Sequence, residues 1–184
     1  AAVFALGFVL TLAVAQFQPQ EQLHTDTYST GLGEQRTVAL QDGSLVHLNT
    51  QSEVRVLYEP QIRRVELISG EAMFDVVEDT KRPFRVVAGG TIAEALGTIF
   101  TVRLVDDTAI VAVVEGAVRV DRAELISEAP LEARPPLVPP AQSAHTKQAV
   151  LNAGERARVT EKEPEIAVDQ QSLEVITSWR ERRL

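Results

Sequence analysis

Apolar and polar residues alternate in short runs over most of the chain, and glycines punctuate the runs. In "VALQDGSLVHLN", residues 38–49, Val38 and Leu40 precede an Asp42-Gly43 pair, and Val46 and Leu48 follow it. Period-two alternation around Asp-Gly predicts a β-hairpin whose two turn positions both take positive φ. Asp42 is then a turn residue. His47, out of phase with the apolar set, reads as an exposed strand residue facing solvent or a neighbouring strand, and the two do not form a catalytic pair. The pattern recurs around Ser69-Gly70 in "RRVELISGEAMFDVVED", Gly97 in "ALGTIFTVRLVDD", Glu115-Gly116 in "TAIVAVVEGAVRVD" and Ala153-Gly154 in "VLNAGERARVTE". Such strand–Gly–strand units cannot bury an apolar face alone, so neighbours must stack on them. The expectation is an all-β fold of about ten to twelve short antiparallel strands, a twisted β-sandwich or an irregular solenoid-like roll.

Three stretches depart from the alternation. Residues 1–20 open with the uncharged run "AAVFALGFVLTLAVA", shorter than the roughly 20 apolar residues of a membrane span. The chain does not begin with Met, and the run reads as a truncated transmembrane segment. A signal peptide ending at Ala13-Val14-Ala15 and a buried core helix are the alternatives. The first two readings put the remainder of the chain outside the cytoplasm. Residues 128–148 hold five of the nine prolines and predict a long exposed insertion in a hairpin. The tail "DQQSLEVITSWRERRL" spaces Leu173, Ile176 and Trp179 three apart, which predicts a short C-terminal helix capped by Asp169 or Ser172. The domain plan is an apolar segment over 1–20, a linker over 21–29, a β domain over 30–165, and a linker helix over 166–184.

Composition narrows function more than fold. A net charge of −8, with no dense Lys/Arg stripe, makes nucleic acid a poor partner. The absence of cysteine excludes a disulfide framework, a thiolate zinc site and a cysteine nucleophile. An enzyme needs a cluster, and His24, His47 and His145 sit on separate segments with no His-x-His pair. The acidic pairs Glu78-Asp79 and Asp106-Asp107 read as strand-end turns. No nucleophile elbow or phosphate loop occurs, so neither a catalytic residue nor a metal or other cofactor is expected. Arg63-Arg64 and Lys81-Arg82 read as solvated strand edges. Trp179 beside Arg180 and Arg183 reads equally as an interface anchor with a polar rim or as packing of the helix on the sheet.

The ordered set "GEQRTVALQDGSLVHLN", "RRVELISGEAMFDVVEDTKRPFRV", "ALGTIFTVR", "VVEGAVRV" and "LNAGERARV" resembles the FecR family over roughly residues 30–160. Asp42, Gly43, Gly70, Glu71, Phe74, Pro83, Phe84, Gly97, Thr98, Phe100, Gly116 and Gly154 carry or accompany the resemblance. They are expected to be structural: glycines for positive φ, aromatics for the core, Glu71 and Thr98 for edge hydrogen bonds. The resemblance implies the periplasmic domain of a single-pass inner-membrane regulator in a Gram-negative bacterium. It implies two partners. One is an extracytoplasmic-function sigma factor, bound by a cytoplasmic segment not present here. The other is a TonB-dependent outer-membrane transducer for ferric-siderophore uptake, met through a docking module after Leu184. The family's "W-x-x-G-x-L" element is here "WRERRL", with Arg182 in place of the glycine. The alternative function is a structural or cell-wall-polysaccharide-binding β module. The siderophore or other signal, and whether the sigma factor is inhibited or activated, are not encoded in these residues.

Overall fold

The computed structural model describes residues 24–122, 148–160 and 165–181. The apolar segment 1–20, the proline-rich stretch up to residue 147, and Arg183 lie outside the described residues. Among the described residues thirteen strands precede one helix: β1 (His24–Ser29), β2 (Arg36–Ala39), β3 (Leu45–Leu48), β4 (Glu53–Tyr58), β5 (Arg63–Asp75), β6 (Phe84–Ala88), β7 (Thr91–Ala95), β8 (Ile99–Val105), β9 (Thr108–Glu115), β10 (Ala117–Arg122), β11 (Gln148–Asn152), β12 (Glu155–Thr160), β13 (Ala167–Gln170) and α1 (Leu173–Glu181). Among the described residues no helix is long and apolar enough to cross a membrane. Residues 24–29, expected as linker, form β1, and 167–170 form β13 ahead of the helix.

The strands make two layers that share β5. Arg63–Leu67 of β5 pairs with β4 and β6 in a layer ordered β1-β4-β5-β6-β7-β10-β11. Gly70–Asp75 pairs with β8, and Ala72–Asp75 with β3, in a layer ordered β2-β3-β5-β8-β9-β12-β13. The strand changes layer at a bulge. Ser69 lies opposite Glu53 but Leu67 opposite Val54, so Ile68 is the extra residue. Ser69-Gly70, expected as a hairpin turn, is therefore a corner inside one 13-residue strand. Gly70 sits there at φ 79°, and a Cβ would lie 2.4 Å from Ser52 Oγ and 2.6 Å from the Gln51 carbonyl. Only glycine fits.

Other glycine turns do not join paired strands either. β9 passes to β10 at Gly116, and β11 to β12 at Gly154, each time from one layer to the other. The chain also changes layer between β3 and β4 and between β7 and β8. The expectation of purely antiparallel strands fails at β5 and β6, which run parallel with Arg63 opposite Phe84 and Leu67 opposite Ala88. Because the second half of β5 lies in the other layer, the return segment 76–83 restarts beside the strand's own beginning.

Alternation then fills the core from both sides. Val54, Val65, Phe84, Val86 and Val120 from one layer meet Val46, Leu48, Phe74, Phe100 and Val111 from the other in a single buried cluster. Phe74 stacks on Phe100 with centroids 5.2 Å apart and tilts against Phe84 at 5.8 Å.

Candidate functional site

The outer face of the β2–β13 layer is where the helix lies. The residues out of phase with the core line up across five strands: His47, Met73, Thr101, Ala112 and Arg156. His47 is thus not an exposed strand residue; it is 8% exposed. β3 lies between β2 and β5, and Thr37 Oγ1 meets the His47 ring at Nδ1, 2.9 Å away. Helix α1 crosses this face. Ser172 acts as its cap, its carbonyl accepting from the Val175 and Ile176 amides, while Asp169 stays in β13. Arg156 holds Asp169 through two bonds of 2.7 and 2.6 Å. These bonds, outweighing partial burial, keep the Asp169 carboxyl below the usual range.

Between α1 and the sheet runs an open groove of about 620 Å³. Val175, Ile176, Ser178 and Trp179 form one wall, and Glu71, Arg103, Ile110 and Ala112 the other. Gly70 and Glu71 from the central corner and Trp179 from the helix, far apart in sequence, therefore share one site. Glu71, on the central strand β5, accepts from Asn49 Nδ2 at 2.9 Å. Gln35 Nε2 donates to the Trp179 carbonyl at 2.9 Å, tying the end of the helix to the segment before β2. The side chain of Arg180 is outside the described residues, as is Arg183. Local pattern gave no sign of this groove, since Arg103 and Gln35 lie in separate family-like stretches that only the fold brings to the helix.

A second cavity of about 540 Å³ opens where the β2–β3 turn meets the β4–β5 turn. Its floor includes Leu40, Val56 and Phe84, and Asp42, Tyr58, Arg63 and Arg82 also line it. The turn has a three-residue loop, with the Gly43 amide on the Leu40 carbonyl and the Leu40 amide on the Ser44 carbonyl. Gly43 has φ 86° and Asp42 does not share it, so this is a type I turn closed by a left-handed glycine, not the two-residue form. The expected solvated edge at Arg63 is also overturned, since this side chain is buried. Its guanidinium donates to Asp42 Oδ2 at 2.8 Å and to the carbonyls of Val77 at 2.7 Å and Arg82 at 2.8 Å, and lies over the Phe84 ring. Burial alone would raise the Asp42 carboxyl. Hydrogen bonds from Ser44 and Arg63 outweigh it and hold the group below the usual carboxylate range. Burial first, then the nearby Tyr28 and Asp26, pushes the Tyr58 phenol above its ordinary range.

The remaining motif residues are built into the walls. Phe74, Phe84 and Phe100 are fully buried, and Pro83 beside them accepts the Arg63 amide through its carbonyl. Gly97 does not have positive φ. It is small because Glu78 Cα would lie 2.7 Å from a Cβ there. Among the described residues the Thr98 hydroxyl is buried without a partner; its carbonyl accepts from the Val76 amide, and its methyl fills the space under Gly116. Gly154 turns the chain into β12, and its carbonyl accepts the Gln171 amide. On the outer face of the other layer Glu94 bridges Arg85 at 2.8 Å and Arg119 at 3.5 Å. Among the described residues no group of three His, Cys, Asp or Glu could hold a metal ion. Both cavities are suited to contact, with apolar walls and fixed charges, and neither brings together a nucleophile and a base.

Comparison with known proteins bears on the same residues. The family described as "FecR protein" matches residues 26–119, from β1 into β10. Two crystal structures of a candidate anti-sigma factor from Parabacteroides distasonis ATCC 8503, at 2.50 and 1.65 Å resolution, superpose with a TM-score of 0.67 each. They are 28% and 27% identical in sequence, over 86% and 85% of this chain. The chain spans 66% and 65% of the length of those proteins. No curated protein matches.

Proposed function

Because the chain belongs to the FecR family, we propose that it is the periplasmic part of a membrane-anchored regulator of an extracytoplasmic-function sigma factor. The apolar residues 1–20 serve as the end of a single inner-membrane span. A cytoplasmic segment holds the sigma factor, and a module beyond Leu184 meets a TonB-dependent outer-membrane transducer loaded with a ferric siderophore. The β domain stands between the two and transmits by protein contact, without chemistry.

The observation that carries this reading is the family match, which takes in strands of both layers and the strand they share. The likeness to a candidate anti-sigma factor supports the sigma-regulator role in its broad form.

The test uses the whole gene product in its own host, with a reporter for the sigma-dependent promoter read with and without the ferric siderophore. Deleting residues 24–181 while keeping the flanking segments should uncouple output from the inducer. Unaltered induction in that deletion would remove the domain from the signalling path. Fractionation checks the localisation: the chain should pellet with inner membrane and be cut by protease added to spheroplasts. Protection from that protease would refute the periplasmic assignment.

A further inference from the structure

We propose that α1 is a releasable latch on the sandwich, a helix that comes off the outer face of the β2–β13 layer as a unit while both layers stay folded. The proposal concerns the mechanics of the domain and stands apart from its signalling role.

Four observations lead to it. First, among the described side chains of α1 only Ile176 is buried, at 4% exposed, whereas Val175 one residue earlier is 56% exposed. Second, an open groove lies along part of the seam between α1 and the sheet, and a wall without facing atoms forfeits dispersion contacts. Third, Trp179 brings an indole to this interface with Nε1 shielded from solvent and no hydrogen-bond partner among the described residues, a cost that docking incurs and release relieves. Fourth, two of the bonds at its ends are single links to neighbouring segments: Gln35 to the Trp179 carbonyl at one end, Gln171 to the Gly154 carbonyl at the other.

The sandwich does not depend on the helix in the same way. Every strand has its ladder partners within the two layers, and the shared core cluster contains no α1 residue. A nine-residue helix is also too short to persist alone in water, so release and unwinding coincide. The surface that release uncovers is specific. Thr101 and Ala112, buried on the outward face of β8 and β9 and lining the groove with α1, become accessible when the helix leaves. Such low-stability elements at the edge of a rigid body are the ones that open first.

The chain's single tryptophan reports directly on the latch. Trp179 emission and the far-UV β signal are followed through one urea titration of the full chain. The Trp179 transition should come at lower urea than the β transition, and α1 amides should exchange at least about ten-fold faster than β5 amides in native buffer. Replacing Ile176→Asp should shift Trp179 emission to that of the exposed indole without urea, while leaving the β midpoint in place. Coincident transitions would overturn the proposal, because the helix would then belong to the cooperative unit of the sheet. An Ile176→Asp chain that fails to fold would overturn it for the same reason.

Discussion

The corner in β5 gives the sharpest test of how the layers are joined. Replacing Gly70→Ala adds one methyl group at φ 79°, 2.4 Å from Ser52 Oγ and 2.7 Å from Ser52 Cα. The left-handed conformation costs an L residue roughly 1–2 kcal/mol. Displacing neighbouring backbone costs about 1–3 kcal/mol more, as overpacking does. The expected loss is therefore about 2–5 kcal/mol. Two other glycines separate the contributions. Gly33→Ala has φ 77° and open space around the new methyl, so it should lose only the conformational part, about 1–2 kcal/mol. Gly97→Ala lacks positive φ but meets Glu78 Cα at 2.7 Å, so it should lose only the packing part, about 1–3 kcal/mol. Urea unfolding followed by far-UV dichroism gives the three values on one scale, provided the slope is unchanged. If Gly70→Ala costs no more than Gly33→Ala, the neighbouring turn yields freely and the corner is not a fixed joint.

The two walls of the sandwich give further expected outcomes. Phe100→Ala should cost about 3–5 kcal/mol in the same assay, since it opens a cavity against Phe74 in a fully buried stack; a cost below about 1 kcal/mol would mean the core collapses around it. The lowered Asp42 carboxyl stabilises the fold above its unfolded value of 3.8, and that contribution disappears as pH falls through the folded value below it. Between pH 5 and 2 the wild-type melting temperature should therefore fall more steeply than that of Asp42→Asn, and parallel profiles would refute the linkage. Arg63→Met leaves Asp42 charged and three acceptors without their donor, with an expected loss of about 3–5 kcal/mol; a neutral result in urea unfolding would mean water replaces the guanidinium. Trp179→Ala should leave the β melt within about 2 kcal/mol of wild type and lower siderophore-dependent reporter output in the whole protein. Full induction with an intact melt would make the indole an ordinary surface residue.

Local rules carried the all-β class and the positions of most chain reversals, because alternation and left-handed glycine are properties of a few consecutive residues. They could not tell a hairpin from a passage between layers. Gly70, Gly116 and Gly154 all have positive φ and come at or just after a strand, yet one lies within a continuous strand and two carry the chain across the core. Which strand pairs with which depends on contacts distant in sequence, and so does the parallel β5–β6 pair. The same limit hid the buried state of His47 and Arg63. Their polarity predicts exposure, but a partner on a neighbouring strand, or an acceptor set gathered from separate segments, reverses it. Among the motif residues the aromatics Phe74, Phe84 and Phe100 were legible as core. Thr98 was not: its methyl, rather than its hydroxyl, makes the contact that fixes the position.

A strand that belongs to both layers also sets the order in which the domain can be assembled. β5 needs β3 and β4 from before it and β6 and β8 from after it, so neither layer can complete itself from one half of the chain. Apart from the local β4–β5 hairpin, these closures span long stretches of chain, and topologies of this kind fold in milliseconds to seconds rather than microseconds. A chain that emerges from its amino end therefore carries an open, half-paired β5 until β8 arrives. During that interval its edges offer hydrogen bonds to any strand nearby. Truncations that end between β5 and β8 are expected to aggregate rather than form a smaller domain.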